Sequence, residues 1–187
     1  METSINFLIK HERLKMNSTQ YCSDAARTVS DKFYSENVPA DYFLETILNF
    51  SDVAQELDDI KKSLFYGRNN LNVMNEEGCS HAATIVKPDA IHGVIGIATE
   101  SGELVESVIK SLVNNKEIDR VNLSEEIGDV LWYVALLCNT FGLSIENIMQ
   151  QNIDKLKLRF PEKFTEENAN VRNLESERQL LEQTTND

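Results

Sequence analysis

Two pairs of acidic residues share one spacing in this sequence. Glu100 and Glu103 form the first pair, Glu126 and Asp129 form the second, and each pair lies in an apolar pattern typical of a helix. Residues three apart project from the same face of a helix, so each pair can offer two carboxylates to one point. Carboxylates beside an apolar core repel one another, and their oxygens are the ligands that Mg²⁺ and Mn²⁺ prefer. The spacing therefore predicts a metal site between two facing helices.

The composition restricts the classes of partner. The 187 residues include 31 acidic and 18 basic ones, and the formal net charge is −13. This charge argues against nucleic acid or an anionic membrane as a partner. The first residues lack the pattern of a secretory signal, and the longest apolar run, residues 130–138, is too short to cross a bilayer. The three cysteines lack Cys-x-x-Cys spacing, which argues against a zinc site, and we expect a cytoplasmic protein.

The apolar residues recur with a period close to 3.6, which predicts an all-α fold. Six helices are predicted, over residues 18–34, 41–66, 88–114, 122–141, 145–159 and 165–183. Asn122, followed three residues later by Glu125, resembles a capping box at the start of the fourth helix. The segment 68–87 is rich in Asn and Gly and predicts a loop. We expect a helical extension over residues 1–40 and one domain over residues 41–187.

The third predicted helix has an apolar side that we expect to face the core. Its members are Ile91, Ile95, Ala98, Val105, Val108 and Leu112. Glu100 and Glu103 lie at the edge of that side. A chain of this length encloses only part of the apolar surface of its helices, so we expect a homodimer or homotetramer with sites near the subunit interfaces.

The acidic pairs belong to a longer pattern. The strings E-S-G-E-L at residues 100–104 and E-E-I-G-D-V-L-W-Y at 125–133 resemble the MazG-like all-α nucleoside triphosphate pyrophosphohydrolases, whose signature is ExxE followed by ExxD. Residues 152–161, N-I-D-K-L-K-L-R-F-P, resemble the substrate-contacting helix of that family. Further similarity, within residues 60–180, is to a branch common in bacteriophage genomes.

The resemblance implies a helical bundle that hydrolyses a nucleoside triphosphate, with a deoxynucleotide expected, to the monophosphate and pyrophosphate. Glu100, Glu103, Glu126 and Asp129 would then hold Mg²⁺, which Mn²⁺ can replace. A phage-encoded enzyme of this kind would act in the host cytoplasm.

The general base is left open by the sequence. Many relatives carry a doubled Glu at the start of the first motif, but here Thr99 precedes Glu100. Glu100 or Glu103 could position the water, Glu125 could substitute from the facing helix, or a metal-bound hydroxide could suffice.

Asn152, Lys155 and Arg159 lie on one face of the fifth predicted helix. The resemblance implies that they contact phosphates, and an ordinary solvated face is the alternative. Lys110, two turns beyond Glu103, and the loop residue Arg68 are further candidates for phosphate binding.

Two aromatic side chains near the acidic pairs could have either a structural role in the core or a role in the site. Trp132 could stack on a nucleobase, but its apolar neighbours favour a position in the core. His92, two turns before Glu100, is interpreted as a core or interface histidine in preference to a catalytic one.

Two other functions compete with hydrolysis. A di-iron carboxylate oxidase requires Glu-x-x-His pairs, whereas positions 103 and 129 are Glu and Asp. A non-catalytic acidic helical module, or a degenerate family member, is the alternative from a different class.

Overall fold

The structure, a computed structural model, describes residues 16–68, 71 and 85–185. These residues form one short 3₁₀ turn, Ser35–Asn37, and α-helices. The helices are α1 (Ser18–Ala26), α2 (Ala40–Tyr66), α3 (Pro88–Asn114), α4 (Arg120–Phe141), α5 (Ile145–Arg159), α6 (Glu166–Asn170) and α7 (Leu174–Thr185). The predicted all-α fold is confirmed. Most of the predicted loop 68–87, Cys79 within it and the first 15 residues of the predicted extension lie outside the described residues.

The chain divides into two compact units. One unit spans residues 34–143 and contains α2, α3 and α4, and the other combines residues 1–33 with residues 144–187. The domain boundary expected near residue 40 stays a prediction.

In the unit of residues 34–143, α3 packs against both α2 and α4. Pro88 starts α3, where its fixed φ suits the first helical turn and its missing N–H costs no hydrogen bond. Gly67 and Gly142 follow α2 and α4 with φ of 68° and 67°. Glycine reaches this left-handed conformation without a steric penalty, so both helices end where the sequence predicts.

Small residues set the spacing of these three helices. A Cβ atom on Gly96 would lie 2.2 Å from the ring of Tyr133, and a Cβ on Gly102 would lie 2.2 Å from the Cβ of Ala54. The predicted apolar side of α3 is correct only in part, because Val108 and Leu112 are 39% and 54% exposed. The glycine-rich side of α3 is buried instead, since it alone permits such close approach.

In the second unit, α5 packs against α1 and α7. Ile153 on α5 is only 1% exposed and Phe160, which follows α5, is 4% exposed. Arg27, just after α1, donates hydrogen bonds to the carbonyl oxygens of Phe160 and Pro161, both at 3.4 Å. These contacts secure the end of α5 against the end of α1.

The first predicted helix is too long, because α1 ends at Ala26 rather than at residue 34. The hydroxyl of Thr28 donates a 2.8 Å hydrogen bond to the carbonyl of Ala25. A side chain that bonds nearby backbone offers an alternative to continuing the helix.

Two other predicted boundaries are wrong for the same kind of reason. Asp119, not Asn122, caps α4 by accepting hydrogen bonds from the backbone N–H groups of Val121 and Asn122. The segment 165–183 forms two helices rather than one, since the side chain of Asn173 accepts a hydrogen bond from the backbone N–H of Ser176 and starts α7.

Among the described residues, no single helix is long and apolar enough to cross a membrane, although α4 and α5 taken together reach that length and composition.

Candidate metal centre

Three carboxylates meet where α3 packs against α4. Glu100 and Glu103 on α3 and Glu126 on α4 each place one oxygen so that all three oxygens lie within 4.8 Å of one another. Glu100 and Glu126 are buried, at 6% and 5% exposure, whereas Glu103 is exposed. The packing of two helices thus brings together one complete acidic pair and the first member of the other.

The electrostatics of this cluster favour a cation. Partial burial of its carboxyl group and repulsion from Glu126 and Glu100 together raise the pKa of Glu103 to about 7. Burial also raises the pKa of Glu126, as does repulsion from Glu100. A divalent ion would remove this repulsion, and an all-oxygen donor set is the one that Mg²⁺ and Mn²⁺ prefer. The residues present therefore fit such an ion.

A chain of hydrogen bonds orients Glu126. The amide nitrogen of Asn122 donates to Oε1 of Glu126 over 2.6 Å, and the hydroxyl of the buried residue Ser107 lies 2.6 Å from the amide oxygen of Asn122. Sequence reasoning missed this role and interpreted Asn122 as a helix cap. Its i, i+4 spacing to Glu126 is the signal that could have revealed it.

A buried lysine from α2 completes the polar network. Nζ of Lys61 lies 2.9 Å from Oε1 of Glu100, 2.8 Å from Oγ1 of Thr99 and 3.1 Å from Oδ1 of Asp58. The other carboxylate oxygen of Asp58 pairs with Lys62. Burial lowers the pKa of Lys61, but the ion pairs outweigh burial and hold that pKa above its ordinary range. Sequence reasoning missed Lys61 and Asp58, because charged residues on a long helix are usually exposed, whereas here they lie with Ala54 on the buried side of α2.

A groove beside the cluster runs between α2 and α3. Its volume is about 210 Å³. The groove is lined by Ser51, Asp52, Ala54, Gln55, Asp58, Thr99, Gly102, Glu103 and Glu106. Pockets that enclose a drug-sized ligand usually measure about 300–1,000 Å³. This groove therefore suits one end of a nucleotide rather than the whole molecule.

Several predicted site residues lie outside the close group of oxygens. Glu125 and Asp129 on α4 are exposed, and neither belongs to the cluster within 4.8 Å. Lys110 forms a surface ion pair with Glu106 at 3.0 Å. Arg68 is exposed just beyond α2. Their catalytic, metal-binding and phosphate-binding roles stay predictions.

An aromatic cluster surrounds His92 on α3. The imidazole stacks on Phe65 with ring centroids 4.1 Å apart, and the edge of Tyr133 lies 5.5 Å away. Nε2 of His92 is buried and has no hydrogen-bond partner among the described residues. Burial and repulsion from Lys61 lower the pKa of His92. Trp132 contacts Tyr133 edge-on at 4.9 Å and is 55% exposed, so the core position that its apolar neighbours favoured is wrong.

The predicted phosphate-binding residues of α5 belong to the other compact unit. Asn152 accepts a 3.2 Å hydrogen bond from the hydroxyl of Tyr21, and Lys155 is half-buried. The guanidinium of Arg159 donates to both carboxylate oxygens of Glu177, at 2.9 and 2.6 Å. The structure therefore brings together three of the predicted site residues, whereas the phosphate contacts of α5 stay predictions.

Comparison with known proteins shows which family the sequence of this chain resembles. Residues 94–164 match the MazG nucleotide pyrophosphohydrolase domain, and this span includes both acidic pairs and all of α5. The Gene 37 protein of Mycobacterium phage L5 is 34% identical over 79 residues, which are 38% of this chain and 69% of the phage protein. The chain belongs to the MazG family. The predicted resemblance is thereby confirmed.

A second relative of this MazG chain is bacterial. The uncharacterized protein YvdC of Bacillus subtilis (strain 168) is 34% identical over 70 residues, which cover 33% of this chain and 66% of YvdC. No solved structure matches the chain. Helix α2, with Asp58 and Lys61, precedes the span that matches the MazG domain.

Proposed function

We propose that this protein hydrolyses a nucleoside triphosphate, with a deoxynucleoside triphosphate preferred, to the monophosphate and pyrophosphate in the presence of Mg²⁺ or Mn²⁺. The observation that carries the proposal is the convergence of Glu100, Glu103 and Glu126 inside the span that matches a nucleotide pyrophosphohydrolase domain. Asp129, three residues after Glu126, is proposed as the fourth ligand on the strength of the family signature.

The cluster supplies a place where negative charge can be neutralised. A divalent ion held there would offset the charge of the triphosphate and lower the pKa of a water molecule. Lys61 and Asn122 hold Glu100 and Glu126 in place, so these carboxylates need little rearrangement on binding. Such preorganised groups are the usual source of phosphoryl-transfer catalysis.

The reaction we propose is attack of water on the α-phosphorus. A bond forms between the water oxygen and that phosphorus, the bond to the bridging oxygen breaks, and pyrophosphate leaves. The proton of the attacking water passes to a carboxylate. Glu103 and Glu125 are the better candidates because both are exposed, whereas Glu100 is buried and accepts a hydrogen bond from Lys61.

Substrate binding is proposed to use further groups. Asn152, Lys155 and Arg159 would contact phosphates, as the match of α5 to the family domain supports. Lys110 and Arg68 are secondary candidates for that role. The half-exposed indole of Trp132 offers a face on which a base can stack.

The protein is proposed to work as a homodimer or homotetramer. Large apolar side chains are exposed along the first half of α2, among them Tyr42 at 65% and Val53 at 54%. On α4, Val121 and Leu131 are 79% and 59% exposed. Runs of exposed apolar side chains typically mark interaction surfaces.

The phage relative supports the host cytoplasm as the place of action.

The test is a search for pyrophosphate. Purified protein is incubated with ribo- and deoxynucleoside triphosphates and Mg²⁺ in water enriched with ¹⁸O. Pyrophosphate and monophosphate should appear together, the label should enter the monophosphate, and excess EDTA should stop the reaction. Accumulation of nucleoside diphosphate and orthophosphate would overturn the assignment. Metal binding without turnover on any nucleotide would instead support the non-catalytic interaction module.

A further inference from the structure

A buried ammonium group lies beside the proposed metal centre. The side chain of Lys61 is only 5% exposed, and a buried charge is costly unless ion pairs and hydrogen bonds compensate it. Its partners include oxygen atoms of Asp58, Thr99 and Glu100, at 2.8–3.1 Å, and the ring of Tyr133, whose centroid lies 5.2 Å away. Oxygen atoms are also the ligands that hard divalent cations prefer. Nζ of Lys61 therefore occupies a place with the chemistry of a second cation site.

The charges of the network point to one divalent ion. Its four carboxylates belong to Asp58, Glu100, Glu103 and Glu126. Two ammonium groups, those of Lys61 and Lys62, face these carboxylates and leave a formal charge of −2. Asp129, the proposed fourth ligand, makes the formal charge −3, so one divalent cation leaves −1, whereas two would make the network positive.

We propose that Lys61 is a positioning residue of the metal centre, whose ammonium group takes the place of a second divalent cation and limits the centre to one ion. The ammonium holds Oε1 of Glu100 at 2.9 Å, and this contact fixes the carboxylate that meets Glu103 and Glu126. The inference rests on the proposed function, because it concerns the metal of that reaction.

The experiment counts the ions bound by the nucleotide-free protein. Mn²⁺ is titrated against wild type and variants, with free Mn²⁺ followed by electron paramagnetic resonance and heat by calorimetry. Wild type should bind one Mn²⁺ ion per chain. Lys61→Ala leaves a cage of three oxygen ligands and should bind two. Lys62→Ala is the matched control, since Lys62 pairs with the same Asp58 from a more exposed position, at 30% exposure, and that variant should still bind one.

Other outcomes would overturn the inference. Wild type that binds two ions, or none, contradicts it, and so does Lys61→Ala with the stoichiometry and affinity of wild type. Should Lys61→Ala fold poorly, Lys61→Arg serves in its place, because the guanidinium keeps the charge. One ion is then expected, and a second ion in Lys61→Arg would refute the role of charge.

The proposed function fails in a distinguishable way. Pyrophosphate release is measured on the same preparations. Wild type with one Mn²⁺ ion but no turnover contradicts the function and leaves the role of Lys61 standing. Active wild type with two ions contradicts the role of Lys61 alone.

Discussion

The two acidic pairs each carry a glycine in the third position, and substitution of these glycines should have opposite effects. Gly102 lies between Glu100 and Glu103, where an added Cβ would be 2.2 Å from the Cβ of Ala54 on α2. Gly128 lies between Glu126 and Asp129, and its added Cβ would meet nothing within 4 Å. The same substitution at the same motif position therefore tests packing separately from helix propensity.

Gly102→Ala should lower the free energy of unfolding. Carbon atoms in contact are about 3.5–4.0 Å apart, so α2 and α3 must separate locally by roughly 1.5 Å. Overpacking of this kind costs about 1–3 kcal/mol, and the better helix propensity of alanine returns about 0.5–1 kcal/mol. We expect a net loss of up to about 2.5 kcal/mol, and a loss of about 1–3 kcal/mol relative to Gly128→Ala, in which only the helix propensity changes. Gly128→Ala should be neutral or stabilise by up to about 1 kcal/mol.

The assay is urea unfolding followed by the helical circular dichroism signal. Ala54→Gly removes the opposing Cβ, so the double variant Ala54→Gly/Gly102→Ala should recover part of the loss. The coupling between the two substitutions should reach about 1–3 kcal/mol. Mn²⁺ affinity should fall in Gly102→Ala, because Lys61 on α2 shifts relative to Glu100. A Gly102→Ala protein as stable as Gly128→Ala, or strictly additive effects in the double variant, would refute the reasoning.

Three other substitutions test the site and the second unit. Glu103→Gln should cut kcat by orders of magnitude and weaken Mn²⁺ binding while the helical circular dichroism signal stays intact, because the substitution removes the negative charge of one ligand. Wild-type turnover in this variant would show that the site is misplaced. Lys155→Ala should raise KM or lower kcat/KM without changing Mn²⁺ affinity, and Lys157→Ala, exposed on the same helix, is its control. Arg159 and Arg172 both pair with Glu177 and lower its pKa from 4.5 to about 2. The stability that this carboxylate contributes is therefore present above about pH 4.5 and lost as the pH falls towards 2. The shift corresponds to at most about 3 kcal/mol, because water screens the exposed Arg172. Urea unfolding of Glu177→Gln should lack this acid dependence, and a pH profile equal to that of wild type would contradict the prediction.

The parts of the fold that the sequence predicts correctly depend on local chemistry. Pro88 at the start of α3 and Gly67 and Gly142 after α2 and α4 act through their own backbone preferences, which no distant contact has to support. Short stretches of sequence therefore contain all the information that these boundaries require.

The boundary errors arise where a polar side chain has several possible partners. Asn122 could cap a helix, but in the structure its amide bonds Glu126 while Asp119 provides the cap. Both arrangements satisfy the same donors and acceptors locally. Contact with Ser107, 15 positions earlier in the chain, distinguishes them, and such a contact is not visible in the sequence pattern.

The carboxylates of the acidic site could be predicted from the sequence, but the lysine that compensates part of their charge could not. Spacing alone brings Glu100 and Glu103 to one face, and helix packing adds Glu126. The compensating cation, Lys61, lies 39 positions before Glu100, on a side of α2 whose other buried residues are Ala54 and Asp58. The role of a buried lysine at such a position can be recognised only when the side chains that it contacts are known.

The position of Lys61 changes the argument that acidic residues near a core require a metal. Lys61 compensates Glu100 from the side of α2, whereas no described cation lies within ion-pair distance of Glu103 or Glu126. Burial raises the pKa of both of those carboxyl groups, and repulsion from Glu100 raises both as well. The unmet demand for positive charge therefore lies at Glu103 and Glu126, and Glu103 also lines the groove beside α2 into which phosphates bound to a divalent ion could fit.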